Sequence, residues 1–269
     1  MEQDSLIRVE HLSRRYGDNL AVNDVNFEVR RGEVLGFLGP NGAGKSTTMQ
    51  MLTGNLAPST GRITINGIDM LEHPKEAKLA LGFLPEQPPL YRDLSVDEYL
   101  TFCARLNRIP KGQVARAVTQ SKERCGLTEV GRRLINNLSK GYQQRVGIAQ
   151  AIIHSPDVVI LDEPTVGLDP IQIREIRKLI RELGGEHSVI LSTHILPEVQ
   201  ATCDRVQIIN KGQLVLSDTI DGLTRRMQTS SLLVALRRPP TAEQLQAIAG
   251  VQAVESLEYG RLRLRHDPQ

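Results

Sequence analysis

An α/β fold with a largely parallel central sheet is the class this sequence predicts, and three observations predict it. Residues 33–38 form a short apolar run that ends at a glycine-rich loop, G-P-N-G-A-G-K-S over residues 39–46, and residues 46–52 then read as a helix. Residues 157–161 form a second buried run, bounded by Pro156 and Pro164. Strand-like and helix-like stretches alternate along most of the chain, the pattern of helices packed on a parallel sheet.

Each element follows from local pattern. Residues 6–9 and 26–30 alternate as half-buried strands do, with Gly17-Asp18 as a turn signal between them. Residues 63–65 and 82–84 are further strand candidates. From residue 94 to 153 the pattern turns helical, with charges between Leu, Val and Ala, which predicts an inserted helical subdomain at about 92–155. Residues 171–183 read as an amphipathic helix and 188–192 as a buried strand. Residues 205–209 and 213–216 read as a hairpin through Lys211-Gly212. Past Leu223 the texture changes. A strand at 232–236, a short helix at 241–249 and a hairpin at 254–264, turning at Tyr259-Gly260, make a small β-α-β-β unit. In its last strand Arg261, Arg263 and Arg265 alternate with leucines, as a solvated face would. The expected organisation is a large unit over 1–223 and a small α+β appendage over 224–269.

Composition narrows the function classes. Hydrophobic residues make up 40%, enough for a core, whereas aromatics are 3% and Trp is absent, which argues against a base-stacking nucleic-acid surface. The formal charge is +2, so no polyanionic partner is implied and no nucleic acid is expected. Cys103, Cys125 and Cys203 are scattered with no metal-ligand spacing, and read as reduced thiols of a cytosolic protein. The polar N-terminus and the lack of a long apolar run predict a chain that does not cross a membrane by itself.

The chemistry concentrates in three stretches. The loop from Gly39 to Gly44 is rich in glycine because backbone N–H groups must converge on phosphates with no Cβ in the way. The helix that follows aims its positive end at the same anion, Lys45 is placed to reach β/γ-phosphates, and the Ser46 hydroxyl is placed to ligate Mg²⁺. Asp162 ends a buried strand, where a carboxylate is costly unless it serves a cation, and is expected to hold Mg²⁺. Glu163, one residue on, points elsewhere and is suited to act on an attacking water. Between these, L-S-K-G-Y-Q-Q over residues 138–144 puts the Ser139 hydroxyl and the Gly141 backbone just before a helix, a second anion site. Taken alone, the motif is weak, and Ser139 reads more readily as a helix cap.

In this order the motifs resemble those of the nucleotide-binding subunits of ATP-binding cassette (ABC) transporters, over roughly residues 6–223. Residues 39–46 match the Walker A loop, which implies ATP contacts from Gly39, Pro40, Asn41, Gly42, Ala43, Gly44, Lys45, Ser46 and Thr47. Residues 138–144 resemble the LSGGQ signature, with Lys140 and Tyr142 departing from it while Ser139 and Gly141 are kept. Residues 158–162 match Walker B, with Glu163 at the catalytic-glutamate position. Gly167-Leu168-Asp169 is similar to the D-loop, which adds Asp169 to the ATP contacts, and Ser192-Thr193-His194 to the switch-histidine loop, which makes His194 catalytic. Tyr16 sits where the family stacks an aromatic on adenine. The family's glutamine-loop position falls on Glu86, with Gln87 one residue away, and either is a candidate Mg²⁺ ligand.

The resemblance implies a P-loop NTPase core with a mostly parallel sheet, an N-terminal antiparallel β subdomain and the helical insert. It also implies an ATPase that uses ATP and Mg²⁺, pairs head to tail with itself or a sister cassette, and serves an integral-membrane permease. Its place would then be peripheral, on the cytoplasmic face of the inner membrane. The wording around residues 138–151 and 161–172 is nearest to bacterial exporter subunits, of the gliding-motility and drug-resistance groups. An importer subunit and a soluble non-transport ABC ATPase are the competing readings.

Overall fold

The computed structural model describes residues 5–227, 231–235, 240–257 and 261–266. The chain divides into two compact units, residues 1–220 and 221–269.

The first unit holds two sheets. β1 (Ser5–Tyr16) and β2 (Asn19–Arg30) form a long antiparallel hairpin, closed at Gly17, whose φ of 54° suits a residue without Cβ. With β4 (Thr60–Ile65) and β5 (Ile68–Asp69) they make a four-stranded sheet in the order β2-β1-β4-β5. This is the antiparallel N-terminal subdomain. Its alternate residues Val22, Val25, Phe27 and Val29 turn inward and share one core with Leu35 and Phe37.

The second sheet has six strands in the order β10-β9-β3-β8-β7-β6. β3 (Val34–Leu38), β7 (Val158–Asp162) and β8 (Ser188–Thr193) are buried along their whole length. That explains continuous apolar runs with no alternation, because helices cover a parallel sheet on both faces. β6 (Leu81–Leu84) and β9 (Arg205–Asn210) flank them in parallel, and only the edge strand β10 (Gln213–Thr219) is antiparallel.

Helix α1 (Lys45–Leu52) follows the glycine loop, and α2 (Pro74–Leu79) precedes β6. The insert comprises α3 (Val96–Leu106), α4 (Lys111–Arg124) and α5 (Lys140–Ile152). A capping box between Ser95 and Glu98 starts α3. α5 lies tight on β6, because a Cβ at Gly147 would come within 2.6 Å of Leu84 Cδ1. α6 (Pro170–Gly184) buries Ile176, Leu179, Ile180 and Leu183, each contributing about 1.5–3 kcal/mol by leaving water. The short α7 (Leu196–Thr202) packs on β3, where a Cβ at Gly36 would reach Val199 Cγ1 at 2.7 Å. The local pattern of the sequence does not predict α2, β5 or α7.

In the second unit, β11 (Ser231–Ala235), β12 (Val251–Ser256) and β13 (Arg261–His266) form an antiparallel sheet in the order β11-β13-β12. α8 (Ile220–Met227) leads into this unit, and α9 (Ala242–Gln246) carries a capping box at Thr241. Arg261 and Arg265 are exposed while Leu262 is buried, and Arg263 pairs with Glu255 at 3.1 Å. The expected turn at Tyr259-Gly260 lies outside the described residues.

No helix among the described residues is long and apolar enough to cross a membrane. The three thiols are free and buried, and burial pushes Cys103 up to about 11 and Cys125 and Cys203 up to about 12. A thiol reagent at neutral pH should therefore label the native protein barely at all and react with all three cysteines in denaturant. Fast native labelling would contradict this burial.

Candidate functional site

The parallel ladder assembles the site. Leu38 at the end of β3 pairs with Thr193 at the end of β8, and Asp162 at the end of β7 pairs with Ser192. Three carboxyl-terminal strand ends thus stand side by side, where ligands bind in open parallel sheets.

From β3 the chain enters the glycine loop. Gly39 N–H donates to the Thr193 carbonyl at 3.3 Å, and a Cβ on Gly39 would lie 2.4 Å from the Ile209 carbonyl oxygen. Gly44 has φ of 105° at the start of α1, a conformation open to glycine and costly for other residues. The Lys45 side chain is buried, and its Nζ donates to the carbonyls of Gly39 at 2.8 Å and Pro40 at 3.3 Å. It also stands 3.3 Å from Glu163 Oε1. The ammonium is therefore folded back along its own loop and faces the carboxylate across the cleft.

β7 delivers the two acids. Asp162 is 4% exposed, and its Oδ1 has no hydrogen-bond partner among the described residues. Burial raises its pKa above the ordinary carboxylate value; the hydroxyls of Ser192 and Ser46 oppose the shift, and the charges of Glu163 and Glu86 add to it. The ladder then runs one residue past the strand, as Glu163 N–H donates to the Ser192 carbonyl at 2.9 Å. At Glu163 the backbone turns left-handed, with φ of 48°. That conformation costs a non-glycine residue about 1–3 kcal/mol and persists where surrounding structure holds it, often at functional sites. The Glu163 carboxylate meets His194 Nδ1 at 2.9 and 3.1 Å.

A cleft of about 370 Å³ collects most of these groups, although Gly39, Pro40, Ala43 and Asp162 do not line it. Asn41, Gly42, Gly44, Lys45, Ser46, Thr47, Glu86, Glu163 and His194 line it, together with Ala21 and Val166. Glu86 lines both this cleft and a neighbouring cavity of about 720 Å³, which Gln87 lines with Lys140 and Gln143. Gln87 does not line the cleft itself. Tyr16 ends β1, is 45% exposed, and carries the Arg14 guanidinium 4.7 Å from its ring centre; it does not line the cleft.

Ser139, Gly141 and Asp169 are also absent from the cleft walls. Ser139 caps α5 by accepting from Tyr142 N–H, and Asp169 caps α6 by accepting from Ile171 and Gln172 N–H at 2.9 Å. These two caps belong to one patch, because a Cβ on Gly141 would lie 2.6 Å from Gln172 Cδ. Lys140 Nζ lies against Gly167 of the loop that leads to Asp169. The groups around Lys45 and those around Ser139 therefore lie on separate surfaces of one chain. The local pattern gave no hint of Ala21 or of Glu198, a buried acid behind His194.

The comparisons with known proteins agree with this geometry. Residues 22–166 match the sequence profile of the family described as ABC transporter. The bacitracin transport ATP-binding protein BcrA of Bacillus licheniformis is 38% identical over 82% of this chain and 72% of its own length. The linearmycin resistance ATP-binding protein LnrL of Bacillus subtilis is 31% identical over 97% of this chain and 85% of its own. The solved structure of cbiO1 from Clostridium perfringens, part of the ABC transporter complex cbiONQ, superposes with a TM-score of 0.75 at 32% identity, covering 82% of this chain and 91% of its own. On fold, motifs and relatives together, the chain belongs to the ABC transporter family, among its ATP-binding proteins.

Proposed function

We propose that this protein hydrolyses ATP as the motor subunit of an exporter, pairing head to tail with a second cassette and driving a separate membrane permease. The observation that carries this reading is the division of the site. Lys45, Ser46, Glu163 and His194 line one cleft, with Asp162 buried beside Ser46, while Ser139, Gly141 and Asp169 stand on another surface. Two copies facing each other would close each ATP between Lys45 of one and Ser139 of the other.

Within the cleft the loop amides and Lys45 bind and orient the phosphates. Glu163 accepts a proton from the attacking water, and His194 orients that carboxylate and reaches the γ-phosphate. Ser46, Asp162 and Glu86 offer oxygens only, the donor set of a hard divalent cation, and the unpartnered Asp162 Oδ1 fits such a ligand. Magnesium there would supply positive charge against the β- and γ-phosphates. ATP hydrolysed in such a closed pair would work a permease at the cytoplasmic face of the membrane. The relatives that are named for bacitracin transport and linearmycin resistance support the exporter direction.

Lys45→Ala should weaken binding of a non-hydrolysable ATP analogue by about 1.5–3 kcal/mol, the worth of hydrogen bonds to a charged group, as read by calorimetry. The head-to-tail arrangement is tested by mixing. Lys45→Ala and Ser139→Arg proteins should each be inactive, and a mixture should recover turnover because one composite site in a mixed pair is intact. A mixture as silent as its parts would rule the arrangement out. For the permease, tagged Glu163→Gln protein with ATP should recover a multi-spanning membrane protein from detergent-solubilised membranes. Recovery of soluble partners alone would favour the non-transport class.

A further inference from the structure

Glu198 is an ionisable residue that is 1% exposed, on the helix just behind the cleft. A carboxylate so placed is costly unless it is bonded, and its bonds are specific. Oε1 accepts from the Thr165 hydroxyl, and Oε2 accepts from the Thr193 hydroxyl at 2.8 Å. The Arg177 guanidinium of α6 stands 3.8 Å from Oε1. Thr165 is two residues beyond Glu163, on the loop that leaves β7. Thr193 ends β8 directly before His194, and its hydroxyl also accepts from Ile195 N–H at 3.1 Å. One buried side chain thereby joins the segment that carries Glu163 to the segment that carries His194.

Packing alone does not ask for an acid here, since a buried polar cluster replaced as a whole by apolar side chains often keeps its stability. The two threonines do not need it either, because a hydroxyl can bond a nearby carbonyl. What the acid adds is a fixed distance between two loops, one of which holds left-handed backbone at Glu163.

We propose that Glu198 is a positioning residue for hydrolysis, bracing the loops after β7 and β8 so that the Glu163 carboxylate and the His194 imidazole keep their 2.9 Å contact. This rests on the hydrolytic reading above.

Steady-state ATPase kinetics of the full-length chain test it. Glu198→Ala should lower kcat by about 10²-fold, the cost of an ångström-scale misplacement, with KM for ATP unchanged. Glu198→Gln should recover most of that loss, because its amide still accepts from one hydroxyl and donates to the other. Combined with Glu163→Gln, Glu198→Ala should bring no further loss, since it acts through the group already removed. Should Glu198→Ala fail to fold, Thr165→Val and Thr193→Val each remove one brace and should lower kcat without raising KM. A wild-type kcat in Glu198→Ala or in both threonine variants would overturn the proposal. So would losses that add to that of Glu163→Gln, or a rise in KM matching the fall in kcat. A wild-type rate in Glu163→Gln itself would instead overturn the hydrolytic reading, and the same experiment separates the two failures.

Discussion

Glu163→Gln should bind ATP and fail to turn it over, with a rate reduced by at least about 10²-fold, the scale of a positioned general base. The amide keeps the size of the side chain and a hydrogen-bond acceptor for His194, so the cleft retains its shape. What it loses is the basicity to take a proton from water and the negative charge 3.3 Å from Lys45 Nζ. Lys45 keeps its bonds to the Gly39 and Pro40 carbonyls, so the glycine loop stays formed. Removing a negative charge beside the phosphate site should also raise the affinity for ATP, because like charges at this distance repel. Size-exclusion chromatography should then show an ATP-dependent dimer that outlasts the wild-type one. Equal ATPase rates for the two proteins would sink the role assigned to Glu163.

Gly82→Ala should cost the largest share of stability of any single methyl group added to the core. A Cβ at Gly82 would lie 2.0 Å from the Ala151 carbonyl oxygen and 2.9 Å from its carbon. Both obstacles are backbone, so neither can rotate aside, and α5 must retreat from β6. Overpacking of this kind costs about 1–3 kcal/mol, and the rigid partner puts Gly82→Ala at the upper end of that range, read as a lower urea midpoint. The damage should extend to function, because α5 begins at Ser139. Gly112→Ala is the contrasting case. That glycine sits exposed in α4 with no atom near its would-be Cβ, so alanine should stabilise by about 0.4–1 kcal/mol. If the two variants melted alike, the tight α5–β6 contact would be wrong.

Much of the fold is legible in the sequence because its signals are local. A strand buried on both faces shows as an unbroken apolar run, so β3, β7 and β8 can be read directly. The glycine loop is legible for the same reason, since its residues are chosen by backbone angles and close approach within eight positions. Elements stabilised from a distance are not. α7 has seven residues and is held by packing on β3, and β5 has two residues paired only with β4. Within the site, the residue types were readable but their distribution was not. Whether Glu86 or Gln87 reaches the cleft depends on how the bend after β6 is formed, which neither side chain announces. Glu198 was illegible because its meaning lies in two threonines that are 33 and 5 residues away in sequence.

The separation of the Lys45 and Ser139 surfaces has a kinetic consequence. If neither surface completes a reaction centre alone, hydrolysis is second order in this protein at low concentration and first order once the pairs are saturated. Specific activity should then climb with protein concentration and fall on dilution with no change in any residue. In a membrane complex that holds two copies together, the local concentration would be fixed by the complex, and the rate would follow how the permease spaces the copies rather than how many are made.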